Sequence, residues 1–420
     1  MLFAAVLVCI LGFSTAKRQN RYISLILFGL GVYFLQHYQA APAAWLKAGV
    51  NNAAVICLVL TVPLLGIPLH FEPYQQHLSK LIPQYVRSPY SFYVLVVSLV
   101  AGLSTLLNLA NYPFVFQLFK DIAANFPQKL FHKALIRGFI PNMMWSPSFI
   151  SMALVTQFTH TTWVELIPVG LAMAVLWFIF ALVFGAFECR NLSGSIQASI
   201  LPKQEIAVAR QGVSKLSLQM LLLIFLIVLL QYFTRKSALV VVPLVAFVGP
   251  LILALVFKRL SIYSERVCEY YTVSLPAMHN EVILFTAIGF FGYGLGISPV
   301  QQYIPFIIRE LGFHSPAALM PLIMLLVVLP SMFGVHPIIS MSAVAVALPP
   351  GLIPLTEIQM AVALLTGYML YASLSPFSVV SLVLSSFTKV DSINLSLRQN
   401  HIYSLLLAAI TTLILTFISI

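Results

Sequence analysis

Charged residues are scarce in this chain of 420 residues. Only 8% of them are Asp, Glu, Lys or Arg and 60% are hydrophobic, whereas a soluble globular protein carries about 25% charged residues. The longest hydrophilic stretch, from Cys189 to Lys215, is roughly 27 residues long. Because no polar tract is long enough for a separate soluble domain, the composition excludes a soluble enzyme or binding module. It indicates an all-α integral membrane protein with several spans.

Cysteines and acidic residues are also few. The four cysteines form no Cys-x-x-Cys pair and lie far apart in sequence, which excludes a disulfide framework and a cysteine metal site. The eleven acidic residues fall in predicted loops or near span ends, so the sequence shows no buried carboxylate relay. Paired carboxylates, phosphate-binding loops and nucleophile triads are absent from the sequence. We expect no resident cofactor or metal, and only Na⁺ or H⁺ as a coupling ion.

The formal net charge is +11, yet it does not indicate a nucleic-acid partner. The Lys and Arg residues are scattered over short loops, which is the distribution that the positive-inside rule gives to membrane proteins. The partners we expect are therefore the lipid bilayer and a small substrate, with no nucleic acid. The composition leaves a homodimer open.

Apolar windows of about 20 residues predict the same order of elements in both halves. In the first half, spans are predicted at 1–16, 21–38, 52–70, 135–158 and 164–188, with an apolar pair at 92–119. In the second half, spans are predicted at 217–233, 238–257, 281–297, 357–387 and 400–419, with an apolar pair at 316–348. Each half thus contains five spans and one pair, or about ten membrane helices and two hairpins in total.

The positions of Lys and Arg predict how the two halves are oriented. If each pair is a re-entrant hairpin, nearly all basic loops fall inside, and the residues left clearly outside are Lys47, Arg235, Lys236 and Arg309. Both termini are then outside, and the loop at 189–216 is cytoplasmic. Two full crossings per pair would preserve the same parity. In either case the repeats 1–188 and 217–420 face opposite ways, which defines an inverted-topology repeat in the cytoplasmic membrane.

Proline interrupts a membrane span at the same place in both halves. Shifting residues 134–158 by 229 positions aligns them with residues 363–387, and six of the 25 positions are identical, where about two would match by chance. The identities form a skeleton of glycine, a Ser-Pro pair and phenylalanine. Proline removes a backbone donor and unwinds a helix locally. We therefore predict one broken helix in each half, at Ser146–Pro147 and at Ser375–Pro376.

A second irregularity precedes each broken helix. The stretch "STLLNLANYPF" places polar residues before Pro113, and "PSMFGVHPIIS" places them around Pro337. A short apolar run, a polar turn with proline and another short run do not form one straight helix, and each arm is too short to span comfortably. The two stretches therefore predict the tips of two hairpins.

Two inverted repeats, each with a hairpin and an unwound helix, resemble the ion transporter superfamily. That group includes divalent anion/sodium symporters, citrate carriers, arsenite pumps and the large membrane subunit of tripartite periplasmic carboxylate transporters. The symporters' Ser-Asn-Thr tip is absent here, and its counterparts are "NLANYP" and "FGVHP". The resemblance implies a cation-coupled carrier of small anions.

The breaks and hairpin tips predict where a substrate and an ion would bind. Half-helix N-termini carry free N–H groups and positive partial charge that suit an anion, while unwound carbonyls and Ser, Thr or Asn oxygens suit Na⁺. The candidate residues are Asn108, Asn111, Asn142, Ser146, Ser148, His336, Ser373, Ser375 and Ser378. A structural interpretation stays open for each of them, since serine in a membrane helix often only packs or bonds to its own backbone.

Two further interpretations concern Arg137 and the segment after residue 297. Arg137 precedes the first break, and we expect its side chain to extend to the cytoplasmic face rather than bind an anion. The alternative function is a membrane-embedded enzyme or polymerase acting on a lipid-linked glycan. Its best extracytoplasmic segment, "SPVQQYIPFIIRELGFHSP", is short and has the pattern of an amphipathic surface helix. The sequence therefore favours a secondary transporter.

Overall fold

The structure is a computed structural model that describes residues 18–193 and 202–417. Within these residues every regular element is a helix. The first half contains α1 (Arg18–His37), α2 (Pro42–Val50), α3 (Ala53–Thr61), α4 (Tyr74–Tyr85), α5 (Pro89–Leu107), α6 (Asn111–Ala123), α7 (Gln128–Phe139), α8 (Ile150–Phe158) and α9 (Trp163–Cys189). Three 3₁₀ segments connect them, at Val62–His70, Asn108–Ala110 and Ile140–Met144. The predicted span at 1–16 lies outside the described residues.

The second half of the chain begins its first helix at Lys203. It contains α10 (Lys203–Thr234), α11 (Ala238–Val256), α12 (Leu260–Glu269), α13 (Leu275–Ala277), α14 (His279–Gly296), α15 (Val300–Glu310), α16 (Pro316–Ser331), α17 (Pro337–Ala347), α18 (Glu357–Leu374), α19 (Val379–Thr388) and α20 (Gln399–Phe417). Two π-helical turns lie at Tyr270–Ser274 and Asn394–Arg398. The segment 189–216, predicted as a loop, is helical from Lys203 onward.

By length and composition, seven helical stretches of the described residues are long and apolar enough to cross a membrane. The number rises to eight if the bent pair Leu260–Ala277 and His279–Gly296 forms one span. Many large apolar side chains on these helices are exposed, including Phe187, Phe225 and Phe233. An apolar exterior of this kind is expected where lipid rather than water surrounds the protein. The chain is therefore a multi-pass helical membrane protein.

The first predicted hairpin is present. Length alone would count Pro89–Ala123 as one continuous stretch, in which Phe92 and Phe119 would lie about 40 Å apart at 1.5 Å per residue. Their ring centroids are instead 5.9 Å apart. The chain therefore folds back at Asn108, whose φ of 50° is uncommon for a residue other than glycine. The arms α5 and α6 pack against each other.

The second hairpin has the same form. Its arms α16 and α17 pack against each other, and its tip contains Gly334, with a φ of 89°. Glycine adopts this left-handed conformation without the steric cost that other residues incur. Each tip thus places one residue in the positive-φ region, which lets the chain reverse within a few residues.

Equivalent helices in the two halves have equivalent packing partners. The first hairpin arm α5 packs on α7 and α9, and its counterpart α16 packs on α18 and α20. Contacts between the halves are reciprocal. The second arm of the first hairpin, α6, contacts α19 of the other half, and the second arm of the second hairpin, α17, contacts α8. Outside this central group, α1 packs on α14, and α11 packs on α3 and on the 3₁₀ segment that follows α3. The hairpins and broken helices therefore form the centre of the molecule.

Candidate functional site

The first broken helix is interrupted between Phe139 and Ile150. Regular α-helix ends at Phe139, a 3₁₀ segment covers Ile140–Met144, and α8 begins at Ile150. Breaking a helix frees backbone groups that must be satisfied inside the protein. One of them is the carbonyl of Trp145, which accepts a hydrogen bond from the indole Nε1 of Trp163 at 2.7 Å. Neighbouring side chains therefore stabilise the break.

Asn142 joins this break to the first hairpin. Its Nδ2 donates to the carbonyl of Ala101 at 2.9 Å, and its Oδ1 accepts from the hydroxyl of Thr105 at 2.9 Å. Both contacts reach the last two turns of α5. The side chain is 3% exposed, so Asn142 positions the hairpin tip beside the unwound segment.

Two serines complete the attachment of the hairpin to the first break. The hydroxyls of Ser146 and Ser148 donate to the carbonyl of Thr105, at 2.6 Å and 2.9 Å. That carbonyl lies in the last turn of α5, where helix carbonyls have no intrahelical N–H donor. Ser146 Oγ also accepts from the backbone N–H of Ser148 at 3.3 Å. Both serines are buried.

The second break repeats this arrangement. Helix α18 ends at Leu374 and α19 begins at Val379. The hydroxyl of Ser375 donates to the carbonyl of Ser331 at 2.7 Å and accepts from the N–H of Phe377 at 3.2 Å. Ser331 is the last residue of α16. Each Ser-Pro serine therefore binds the C-terminal end of the first arm of its own hairpin.

The glycine of the repeated skeleton has an equally specific place. A Cβ on Gly138 would lie 2.6 Å from the carbonyl oxygen of Val97, and one on Gly367 would lie 2.9 Å from Cβ of Val327. Contacts this short do not occur between real Cβ atoms and such neighbours. In both halves, glycine therefore lets the broken helix approach the first hairpin arm. In each half the repeated residues thus have three roles: the glycine lets the broken helix approach the hairpin arm, the serine hydroxyl bonds to that arm, and the Ser-Pro pair lies at the break.

The two breaks lie next to each other. The 3₁₀ segment Ile140–Met144 packs on α18, and α8 packs on both α18 and α17. The rings of Phe116 on the first hairpin and Phe387 on α19 stack with centroids 5.7 Å apart. The two hairpins and the two broken helices therefore surround one region.

Asn111 presents an unpartnered oxygen at the tip of the first hairpin. Its Nδ2 donates to Ser104 Oγ at 2.9 Å and to the carbonyl of Asn108, and because that carbonyl only accepts, the orientation of the amide is determined. Its Oδ1 is buried and has no hydrogen-bond partner among the described residues. A buried acceptor without a donor is costly and suits a cation or an N–H donor of a ligand. Asn108 is half-buried beside it.

The remaining candidates lie around the second hairpin and break. His336 caps α17, since its Nδ1 accepts from the N–H of Ile338 at 3.4 Å, and its ring lies 6.2 Å from that of Tyr371. Ser378 caps α19 by accepting from the N–H of Ser381 at 3.1 Å. Ser373 behaves differently, because it is still within α18 and its hydroxyl contacts Ser404 Oγ of α20 at 2.8 Å. It therefore faces away from the break.

A cavity of about 850 Å³ leads to the first hairpin tip. Its lining includes Leu107, Ala110 and Pro113 of the tip. The 3₁₀ segment Val62–His70, which contains two prolines, also lines it. Sequence reasoning did not connect this segment with the site, although Pro63 and Pro68 within a predicted span were a signal for irregular backbone.

Charged residues also line this cavity. Glu72 Oε1 accepts from Lys215 Nζ at 2.9 Å and lies 3.9 Å from Arg259 Nη2, and Arg266 pairs with Glu269 at 2.6 Å. Among the cavity-lining residues, two basic side chains, Arg259 and Arg266, therefore stand against two acidic ones, Glu72 and Glu269, and their formal charges balance.

The expected position of Arg137 was wrong. Its side chain is fully buried rather than extended to the membrane face, and Nη1 donates to Glu188 Oε2 at 2.8 Å. The guanidinium also donates to the hydroxyl of Tyr93 and to Asn400 Oδ1, both at 3.3 Å, and lies over the ring of Tyr403 at 4.7 Å. The acidic partner, Glu188, is 51 positions away along the chain and leaves no local signal in the sequence near Arg137. The apolar neighbours of Arg137 alone therefore suggested that its side chain extends to the membrane face.

The described residues define a helical membrane protein built around two fold-back hairpins and two broken helices, which is the fold of a known membrane transporter. One solved structure that it resembles is the crystal structure of the YdaH transporter of Alcanivorax borkumensis, reported to have an unusual topology. The TM-score is 0.59 at 16% sequence identity, covering 95% of this chain and 97% of that chain. At this identity the likeness shows a shared fold. No family model matches the sequence, and no curated protein matches it.

Proposed function

We propose that the protein is a secondary active transporter that moves small organic or inorganic anions across the cytoplasmic membrane, coupled to Na⁺ or H⁺. The observation that carries the proposal is the matched pair of breaks. In each half a Ser-Pro serine binds the end of a hairpin arm, and a glycine lets the broken helix approach that arm. Discontinuous helices that meet at one region are how many transporters form their binding sites.

The same contacts support an inverted-topology repeat of five spans and one hairpin per half. Packing within each half is equivalent, and contacts between the halves are reciprocal. An axis in the membrane plane would relate two such halves. With the orientation that Lys and Arg predict, the cavity opens toward the cytoplasm, both termini are outside, and the first hairpin tip is accessible from inside.

An anionic substrate fits the ends of helices that converge here. Helices α8, α17 and α19 all begin at a break or a hairpin tip, and helix N-termini carry positive partial charge. The unpartnered Oδ1 of Asn111 and the carbonyl of Asn108 would serve as ligands for the coupling cation, because Na⁺ prefers oxygen donors.

A ligand screen tests this proposal directly. The purified protein is heated with a panel of dicarboxylates, tricarboxylates, sulfonates and oxyanions, with and without Na⁺ and at two pH values, and positive compounds are then tested for uptake into proteoliposomes. We expect at least one anion to raise the melting temperature and to be taken up in a cation-dependent manner. A chain that responds to no anion under any of these conditions would contradict the proposal.

A matched pair of variants locates the cation. Asn111→Ala removes the free oxygen at the tip, whereas Asn125→Ala changes an exposed residue outside the site. Removing one partner from a desolvated polar site costs about 1–3 kcal/mol, or about 5- to 150-fold in affinity. Cation affinity should fall by this factor in the first variant and stay unchanged in the second. Equal affinity in both variants would place the cation elsewhere.

A further inference from the structure

A second cleft, of about 300 Å³, lies away from the hairpin tips. It is formed where the last turn of α9, the middle of α7 and the start of α20 meet. Its lining includes Lys133, Glu188, Arg398, His401 and Tyr403. The transport site proposed above does not use this cleft.

The charge in this cleft is positive. Lys133 Nζ lies 2.7 Å from Glu188 Oε1, and Arg137 behind it pairs with the other oxygen of the same carboxylate. Arg398 lines the cleft and has no acidic partner among the described residues. Three cations and one carboxylate leave two positive charges. The one acid, Glu188, cannot neutralise them, so the cleft keeps a net positive charge.

One polar group beside the cleft also lacks a partner. The hydroxyl of Tyr403 is buried, with the residue 1% exposed, and makes no hydrogen bond within the described part of the chain. A buried donor without an acceptor is costly. His401 is exposed at the same cleft, where its Nδ1 lies 3.0 Å from the carbonyl oxygen of Leu397.

The cleft is continuous with apolar surface that faces lipid. On α9, Val183 and Phe187 are 48% and 72% exposed, and on α20, Ile402 and Leu405 are 56% and 62% exposed. Phe187 and Ile402 also line the cleft. A positive pocket at the ends of two membrane helices, joined to an exposed apolar stripe, has the two parts that recognise a lipid. The pocket takes a charged head group and the stripe takes acyl chains.

We propose that this cleft binds the phosphate head group of an anionic phospholipid, with Lys133 and Arg398 facing the phosphate. A monoanionic phosphodiester such as that of phosphatidylglycerol matches the volume and the charge. The lipid would pack between α9 and α20, next to the buried Arg137–Glu188 pair that connects them to α7. This proposal stands independently of the substrate that the protein transports.

Lipid retention by the purified full-length protein tests the proposal. Native mass spectrometry measures binding of added phosphatidylglycerol and of phosphatidylcholine in detergent micelles. We expect selective retention of phosphatidylglycerol, and Arg398→Gln should weaken it about fivefold, the effect of about one basic contact with an anionic lipid. Arg398→Lys keeps the charge and should retain most of the affinity. The matched control Arg87→Gln removes an exposed cation from another loop and should change nothing.

The other outcomes are decisive as well. Equal effects of Arg398→Gln and Arg87→Gln would overturn the proposal, because the attraction would then come from overall charge. Equal stabilisation by soluble glycerol phosphate would also overturn it, since the acyl chains would then contribute nothing. If Arg398→Gln does not elute as folded protein, Ile402→Glu provides a second test. It places a negative charge at the exposed edge of the cleft and should reduce phosphatidylglycerol binding at least as strongly.

Discussion

Neutralising Glu188 should destabilise the protein far more than neutralising an acid in a surface ion pair. The carboxylate is the acidic partner of Arg137, whose side chain is 0% exposed. Arg137 Nη1 donates to Glu188 Oε2 at 2.8 Å, and Nη2 donates to Oε1 at 3.2 Å. Removing one member of a buried pair leaves an uncompensated charge and costs about 3–5 kcal/mol. Because the side chain of Glu188 is itself 23% exposed, we expect a loss near the lower end of this range for Glu188→Gln.

The control for this prediction is the exposed pair of Lys80 and Glu205, whose side chains are 47% and 46% exposed. Such surface pairs contribute about 0–1 kcal/mol, so Glu205→Gln should be nearly silent. Denaturant unfolding in detergent micelles compares the two variants. The double variant Arg137→Met with Glu188→Met should recover stability relative to Glu188→Gln, since a buried pair is often replaceable by apolar residues. Equal unfolding midpoints for Glu188→Gln and Glu205→Gln would refute the reasoning.

Three further predictions follow from the contacts at the centre of the molecule. Gly138→Val and Gly367→Val should each destabilise the protein by about 1–3 kcal/mol through overpacking. The control Gly102→Val, at a position with open space around it, should leave stability unchanged, and denaturant unfolding midpoints compare the three variants. Ala110→Cys, exposed in the cavity, should react with a membrane-impermeant thiol reagent from the cytoplasmic side only, and labelling from outside would reverse the predicted orientation. Single cysteines placed near both ends of the chain should be labelled from outside, and a cytoplasmic C-terminus would exclude the inverted repeat.

The spans and the breaks were predictable from the sequence because their signals are local. Apolar windows locate the long helices, and proline beside small or polar residues marks both hairpin tips and both unwound segments. The repeated Gly and Ser-Pro positions marked the two breaks, but their contacts with the hairpin arms were not predicted. These residues act through backbone geometry, which a short stretch of sequence determines.

Features that depend on distant partners were not predictable in this way. The hydroxyl of Ser373 faces Ser404 rather than the break, because α18 continues to Leu374 and rotates that side chain toward α20. Burial of Arg137 depends on Glu188, which lies beyond the break and at the far end of α9. The wall of the main cavity comes from the 3₁₀ segment Val62–His70, far from the tip it faces in sequence. Each case is decided by tertiary packing, which the periodicity and composition of the sequence do not determine.

The central claim is that the two Ser-Pro breaks have equivalent roles in one transport site. Once the ligand screen supplies a substrate, uptake by proteoliposomes containing Ser146→Ala, Ser375→Ala or the control Thr411→Val tests it at matched protein levels. Each serine change removes one hydrogen bond to a hairpin carbonyl that keeps a second donor, Ser148 Oγ for Thr105 and the N–H of Gly334 for Ser331, at a cost of about 0.5–1.5 kcal/mol. Among the described residues, the hydroxyl of Thr411 bonds only to the carbonyl of Leu407 in its own helix. We predict that both serine variants lose uptake to a similar extent and that the control transports normally. Wild-type kinetics in both serine variants would contradict the account.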